Sequence, residues 1–152
     1  MTNIRWGILG ASSIARSFIQ GVRATPGAGE IAAVASRSLN KARAYADETL
    51  VPLSYGSYAE LLDPSLVDAI YNPLPNSLHA EWTIQALAAG LPVLCEQPFT
   101  VNAGAAEEVA AASVRPGLPV AEAFMSRFHP PYAVSANLTA DGSLVDLASM
   151  HS

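Results

Sequence analysis

Only one cysteine, Cys95, stands in 152 residues. A lone thiol closes no internal disulfide, which rules out a cross-linked secreted scaffold and suits a reducing compartment. Positive charge is scarce as well. Eight Lys and Arg face thirteen Asp and Glu, a net charge of −5, and the basic residues form no cluster. That argues against a nucleic-acid surface and against a patch for anionic membranes. Charged residues make up only 14% of the chain against 51% hydrophobic, so a disordered segment is excluded and a packed core is required. No uninterrupted apolar run is long enough to span a bilayer, and Met1-Thr2-Asn3-Ile4-Arg5 lacks the pattern of a signal peptide. The expectation is a soluble cytoplasmic protein with no nucleic-acid and no membrane partner. The three histidines, His79, His129 and His151, show no metal-ligand spacing. A nucleophile elbow is also missing.

What is present is alternation. Extended apolar runs at Ile4–Leu9, Glu30–Ala35, Pro52–Tyr55, Val67–Tyr71, Pro92–Cys95 and Pro119–Ala123 read as strands. Between them, Ser13–Ala24, Leu39–Thr49, a short turn opened by the capping box Ser57-Tyr58-Ala59-Glu60, Leu78–Ala89 and a segment capped by Asn102 and running to Val114 read as helices. Strands without polar alternation, each followed by a helix, predict a parallel sheet covered on both faces. Right-handed crossovers make it a doubly wound α/β sheet of the Rossmann type. The Leu78–Ala89 helix carries Leu78, Trp82, Ala86 and Ala89 on one stripe. From Met125 onward the pattern changes. A short helix is expected around Tyr132–Leu138 and one more strand over 143–148, so the chain divides into 1–124 and 125–152. A terminal strand with unpaired edges invites a missing domain, a partner chain or self-association.

The first strand runs into Gly10-Ala11-Ser12-Ser13-Ile14-Ala15. A strand that turns sharply into a helix presents free N–H groups at the positive end of the helix dipole, which is a site for an anion. Glycine at Gly10 permits the turn, and Ala15 lets the helix lie close. The dinucleotide fingerprint G-x-G-x-x-G/A is met at two of its three positions, with Ser12 replacing the middle glycine, and an ordinary β-turn-α corner satisfies the same residues. Ser36 and Arg37 follow the second strand, where an NAD-selective site places an acid for the ribose 2′-hydroxyl. Arg37 can instead pair with a 2′-phosphate or stand solvated. Pro73, Asn76 and His79 follow the fourth strand, and Glu96 and Gln97 the fifth, all at the carboxyl edge where ligands bind in such sheets. Asn76 can cap the next helix while lining a crevice, which makes His79 a first-turn surface residue. Glu96 can equally be a strand-end carboxylate in a local salt bridge. Asn72, polar at a strand end, is expected to meet solvent, and Cys95 to be a buried hydrophobe rather than a nucleophile.

Five stretches together carry a resemblance: Trp6-Gly7-Ile8-Leu9-Gly10-Ala11, Val34-Ala35-Ser36-Arg37-Ser38, Pro73-Leu74-Pro75-Asn76-Ser77-Leu78-His79, Leu94-Cys95-Glu96-Gln97-Pro98 and Glu122-Ala123-Phe124-Met125-Ser126-Arg127-Phe128-His129-Pro130. In order and content they resemble the N-terminal half of the glucose–fructose oxidoreductase / inositol dehydrogenase / MocA family, in the branch of NADP-dependent xylose and dihydrodiol dehydrogenases. The resemblance implies a Rossmann domain followed by a larger substrate domain, and hydride transfer between NAD(P) and a sugar, inositol or related diol. It implies cofactor contacts from Gly10, Ala11, Ser12, Ser13, Ile14, Ser36, Arg37, Pro73, Asn76, His79, Glu96 and Gln97. Glu96 would hold the nicotinamide ribose hydroxyls, and Arg127 and His129 would face the nicotinamide or serve the structure. NADP is favoured over NAD.

Two departures qualify that expectation. The family's Glu-Lys-Pro motif carries the lysine that assists proton transfer, and here the position is Gln97. An amide has no titratable proton near neutral pH, and losing such a group typically lowers rates about 10²–10⁴-fold. Most of a substrate domain is also absent from the sequence, so no catalytic residue is assigned. The expected function is an NADP-binding Rossmann domain with weak or no hydride transfer by itself. The alternatives are an active sugar or diol dehydrogenase completed by another chain or by missing sequence, and a structural or regulatory module without catalysis.

Overall fold

The computed structural model describes residues 3–114 and 117–125, with Val134, Asn137 and Leu138 beyond them. Strands and helices alternate in the order β1 Arg5–Leu9, α1 Ser13–Ala24, β2 Glu30–Ala35, α2 Leu39–Thr49, β3 Leu53–Tyr55, α3 Tyr58–Leu61, β4 Ala69–Asn72, α4 His79–Ala88, β5 Val93–Cys95, α5 Ala103–Val114 and β6 Val120–Glu122. A 3₁₀ turn, Asn76–Leu78, leads into α4. All pairings are parallel, in the order β3-β2-β1-β4-β5-β6. The expected elements are thus all present among the described residues, with ends shifted by one or two positions, as element ends commonly are. The helix and strand expected over 132–138 and 143–148 lie outside the described residues, apart from helical Val134, Asn137 and Leu138.

Local chemistry sets where the helices begin. Ser12, Ser38 and Ser57 each accept, through their hydroxyls, the backbone N–H three residues on, and Asn102 Oδ1 accepts that of Ala105 at 2.9 Å. Each bond satisfies one of the N–H groups that a helix start leaves over. Glu60 reaches back to the Gly56 N–H at 3.2 Å, so the expected capping box closes one residue early. Helix α2 stops at Leu50, which adopts φ +55 with 79% of its surface exposed. Glycine is the usual occupant of that left-handed position.

Period two along the strands divides the core into two layers. Ile8, Val34 and Tyr71 point toward α1 and α2, where they pack with Ala15, Ile19, Val22, Tyr45 and Ala46. Leu9, Ala33, Ala35, Ile70, Val93 and Cys95 point the other way, against Tyr58, Leu61, Ala86, Leu87 and Val109 of α3, α4 and α5. Gly7 lies where strands and helix crowd. A Cβ there would stand 3.1 Å from both Ile70 Cδ1 and Val67 Cγ1. At the far end of β1, Arg5 donates to Asp68 and to the carbonyls of Ser65 and Pro64, tying the start of β1 to the loop before β4. That bond holds the Asp68 carboxyl at about 2.

Polar side chains enter the core at α4 and at the end of β4. The fully buried residues of α4 are His79, Thr83, Ala86 and Leu87, and the stripe of Leu78, Trp82, Ala86 and Ala89 packs on the same core, Ala86 fully buried and the others in part. Asn72 does not meet solvent. It is fully buried, giving its amide N–H groups to His79 O and Thr83 Oγ1 at 3.2 Å and accepting from Leu74 N at 3.3 Å. The reason lies in the backbone. Pro73 and Pro75 have no N–H with which to continue a ladder, and the Asn72 amide takes over the links that end the strand.

Replacing Leu50 by Gly should stabilise the fold by about 0.5–1 kcal/mol, since it removes a side chain from a left-handed, exposed position. Urea unfolding followed by circular dichroism checks this, as a higher midpoint with an unchanged slope.

Candidate functional site

The order of the sheet reverses beside β1, because the chain builds outward through β2 and β3 and then returns to the opposite side of β1 for β4. Helices leaving that point lie on opposite faces, so a crevice opens at the carboxyl ends of the strands. Gly10 forms its floor. Its φ is +95, its N–H donates to Ala35 O at 2.8 Å, and a Cβ would stand 3.0 Å from Leu74 Cδ2. The conformation therefore requires glycine here. Ser12 has the extended geometry of a helix cap, φ −113 and ψ 161, so the missing middle glycine of the fingerprint is no conformational loss. The Tyr45 hydroxyl donates to Ser12 O at 2.9 Å, which fixes the turn against α2. The first-turn amides of Ser13 and Ile14 have no acceptor within the helix.

A cavity of about 320 Å³ opens from this turn, lined by Gly10, Ala11, Ser12, Ser36, Arg37, Ser38, Lys41, Tyr58, Pro73, Leu74 and Pro75. Six of the expected site residues thus meet in one place: Gly10, Ala11, Ser12, Ser36, Arg37 and Pro73. Lys41 and Ser38 were not anticipated there, because Lys41 reads as part of the wet face of α2. A signal was nevertheless available. The first turn of α2 contains no acid, although a helix N-terminus favours negative charge. A lysine in that turn, one helical turn beyond Arg37, is a local misfit that an anion would resolve.

A second, larger cavity of about 1010 Å³ lies on the α1 side of β4, β5 and β6. Ile14, Phe18, Tyr71 and Glu96 are in its wall, so Ile14 and Glu96 join a different surface from the first six. The local salt bridge, one of the two readings of Glu96, does not form among the described residues. Oε1 accepts from the Tyr71 hydroxyl at 2.6 Å and Oε2 from the Gln97 N–H at 3.2 Å. The ion pairs among the described residues are Arg5–Asp68 and Arg16–Glu48. Ser13, Asn76 and Gln97 are exposed at the same edge and stand outside the lining of both cavities. Asn76 makes no capping bond; it opens the 3₁₀ turn, and the residue before α4 is Leu78, also without a side-chain cap.

His79 is not a surface residue. It is 1% exposed, with Nε2 at 2.6 Å from Leu74 O and Nδ1 at 2.8 Å from Pro98 O. The ring stands behind the crevice and connects the segment after β4 to the segment after β5. His79 follows directly on the 3₁₀ turn Asn76–Leu78. Cys95 is fully buried as expected, and burial pushes its thiol up to about 12, far from a reactive thiolate at neutral pH. Arg127 and His129 lie outside the described residues. Among the described residues no group of three or more His, Cys, Asp or Glu could hold a metal, and no helix is long and apolar enough to cross a membrane.

A six-stranded parallel sheet reversing beside its first strand, with a glycine turn and a helix N-terminus at the reversal, defines a Rossmann-type domain. The model of the oxidoreductase family with an NAD-binding Rossmann fold, Gfo/Idh/MocA, matches residues 4–124, and the chain belongs to that family. It is 44% identical over 147 residues to a D-xylose 1-dehydrogenase (NADP(+)) of Haloferax volcanii, covering 95% of this chain and 45% of that protein. It is 35% identical to the trans-1,2-dihydrobenzene-1,2-diol dehydrogenase of Mus musculus, covering 95% and 44%. Among solved structures, a 3-ketoreductase from Actinomadura kijaniata in complex with NADP and TDP-benzene superposes with a TM-score of 0.86 at 35% identity, over 94% of this chain and 44% of that one. The chain therefore spans less than half the length of these relatives.

Two tests follow from the buried groups. Substituting His79 by Ala removes the ring lodged between Leu74 O and Pro98 O and opens a void, and should lower stability by about 2–4 kcal/mol in denaturant unfolding. Cys95 should stay silent toward a chromogenic disulfide reagent at neutral pH in the folded chain and react within minutes in concentrated guanidinium.

Proposed function

We propose that this chain is the cofactor-holding part of an NADP-dependent oxidoreductase acting on CH–OH groups of a sugar or vicinal diol. By itself it binds the dinucleotide and transfers hydride weakly or not at all. One observation carries the reading: Ser36, Arg37, Ser38 and Lys41 surround the cavity at the end of β2 without a carboxylate among them. Two cations, two hydroxyls and the N-terminal amides of α2 suit a dianionic 2′-phosphate. An acid at this place would instead have selected the bare 2′-hydroxyl.

The remaining residues fit the rest of such a molecule. Gly10 carries no Cβ at the turn, and the first-turn amides of Ser13 and Ile14, without acceptors inside the helix, are available to a pyrophosphate. Asn76, exposed at the same edge, is available to the middle of the molecule, and Glu96 to the hydroxyls of its far half. His79 acts from behind, holding the two segments that frame the crevice. When bound, the nicotinamide supplies the hydride donor or acceptor. Gln97 can orient a hydroxyl through its amide, but it has no proton to give or take near neutral pH. The names of the xylose and dihydrodiol dehydrogenases support a sugar or diol as substrate.

A second reading is an active dehydrogenase whose remaining residues belong to further sequence or to another chain. The observation favouring it is that the chain spans less than half the length of its relatives.

Calorimetric titration with NADPH and NADH in parallel tests the first reading. Tighter binding of NADPH is expected. Substituting Arg37 or Lys41 by Ala should weaken NADPH about tenfold each, the magnitude of one charge-assisted hydrogen bond, while NADH changes less than about twofold. Absence of NADPH binding at millimolar concentration overturns the reading. NADP-linked oxidation of xylose or a cyclic diol by this chain alone, at a rate typical of enzymes, would favour the second.

A further inference from the structure

Tyr71 is a buried residue with an outward task. Its side chain is 1% exposed, and its ring stacks on Phe18 with centroids 3.9 Å apart and planes inclined by 14°. Phe18 is held in turn by the edge of Trp6, at 5.3 Å and 84°. Trp6 is anchored through its indole N–H to Ala28 O at 2.8 Å. This train of rings fixes the phenol in place. Its hydroxyl leaves the core layer and donates a 2.6 Å hydrogen bond to Glu96 Oε1, on the neighbouring strand's carboxyl end. Burial, reinforced by the Glu96 carboxylate, pushes the Tyr71 phenol well above its ordinary value, so it remains a donor across the whole neutral range. The second carboxylate oxygen, Oε2, accepts the Gln97 N–H.

Both oxygens of Glu96 are therefore held, and each keeps a further lone pair. An unrestrained glutamate at a rim loses rotamer freedom when a ligand arrives. Here that freedom is removed beforehand, which is how a preformed site gains affinity. Two acceptor positions side by side, in fixed orientation on the wall of the larger cavity, match two adjacent hydroxyls.

We propose that Tyr71 is a positioning residue: it locks the Glu96 carboxylate so that its oxygens take a vicinal diol, the ribose of the cofactor's nicotinamide half. This deepens the dinucleotide reading above and rests on it. Tyr71 acts only through Glu96, so its contribution is confined to the half of the cofactor that Glu96 touches.

The test compares two ligands on the full chain. Tyr71→Phe keeps the ring stack and removes only the hydroxyl. It should weaken NADPH roughly three- to tenfold, while adenosine 2′,5′-bisphosphate, which lacks the nicotinamide half, keeps its affinity within about twofold. A purely structural role would move both ligands alike. In a Glu96→Ala background the Tyr71→Phe change should add nothing further, the mark of two residues acting as one unit. Equal weakening of both ligands, or no weakening of NADPH, overturns the inference. Glu96→Ala leaves the ring stack intact and must reproduce the same contrast even if Tyr71→Phe does not fold; unaltered NADPH affinity in that variant also overturns it. Failure of the unsubstituted chain to bind either nucleotide overturns the dinucleotide reading itself, and this inference with it.

Discussion

A single hydrogen bond organises the crevice. The Gly10 N–H donates to Ala35 O across the ends of β1 and β2 while its φ of +95 turns the chain away from the sheet. Everything at the carboxyl edge is arranged around that turn. It brings the start of α1 over the strand ends and places Ser12 where it caps the helix. It also brings the backbone close to Leu74, whose Cδ2 would stand 3.0 Å from a Cβ at residue 10. Any residue with a Cβ would strain the backbone there and press on Leu74.

Much of this was legible in the residues. Serine before three of the helices, prolines after β4 and β5, and unbroken apolar runs such as Ile31–Ala35 each report a local preference that the tertiary fold accepts. The parallel order followed from the alternation of elements, and the place of the crevice followed from the order. The polar interior was less legible. Asn72, His79 and Thr83 look like surface residues to any reading based on hydropathy. They are buried because Pro73 and Pro75 interrupt the ladder and the stranded backbone groups require side-chain partners.

The site shows the same division. Gly10, Ser36 and Arg37 could be assigned from their position after strands. Lys41 could not be assigned from helical periodicity, which places it on a solvated face; only its poor match to the helix dipole marks it. Glu96 was legible as a rim carboxylate. Its partner was not, because a tyrosine inside a strand reads as core. That Tyr71 belongs both to the core and to the rim follows from the length of its side chain, apolar along the ring and polar at one end.

His79 has a mechanical consequence. Its imidazole spans the short distance between Leu74 O and Pro98 O, riveting together two stretches of chain that follow different strands. Independent loops on either side of a cleft would have to be ordered anew by each incoming molecule, slowing its capture. Coupled through one ring, the two segments form a single lip at the carboxyl edge of the sheet.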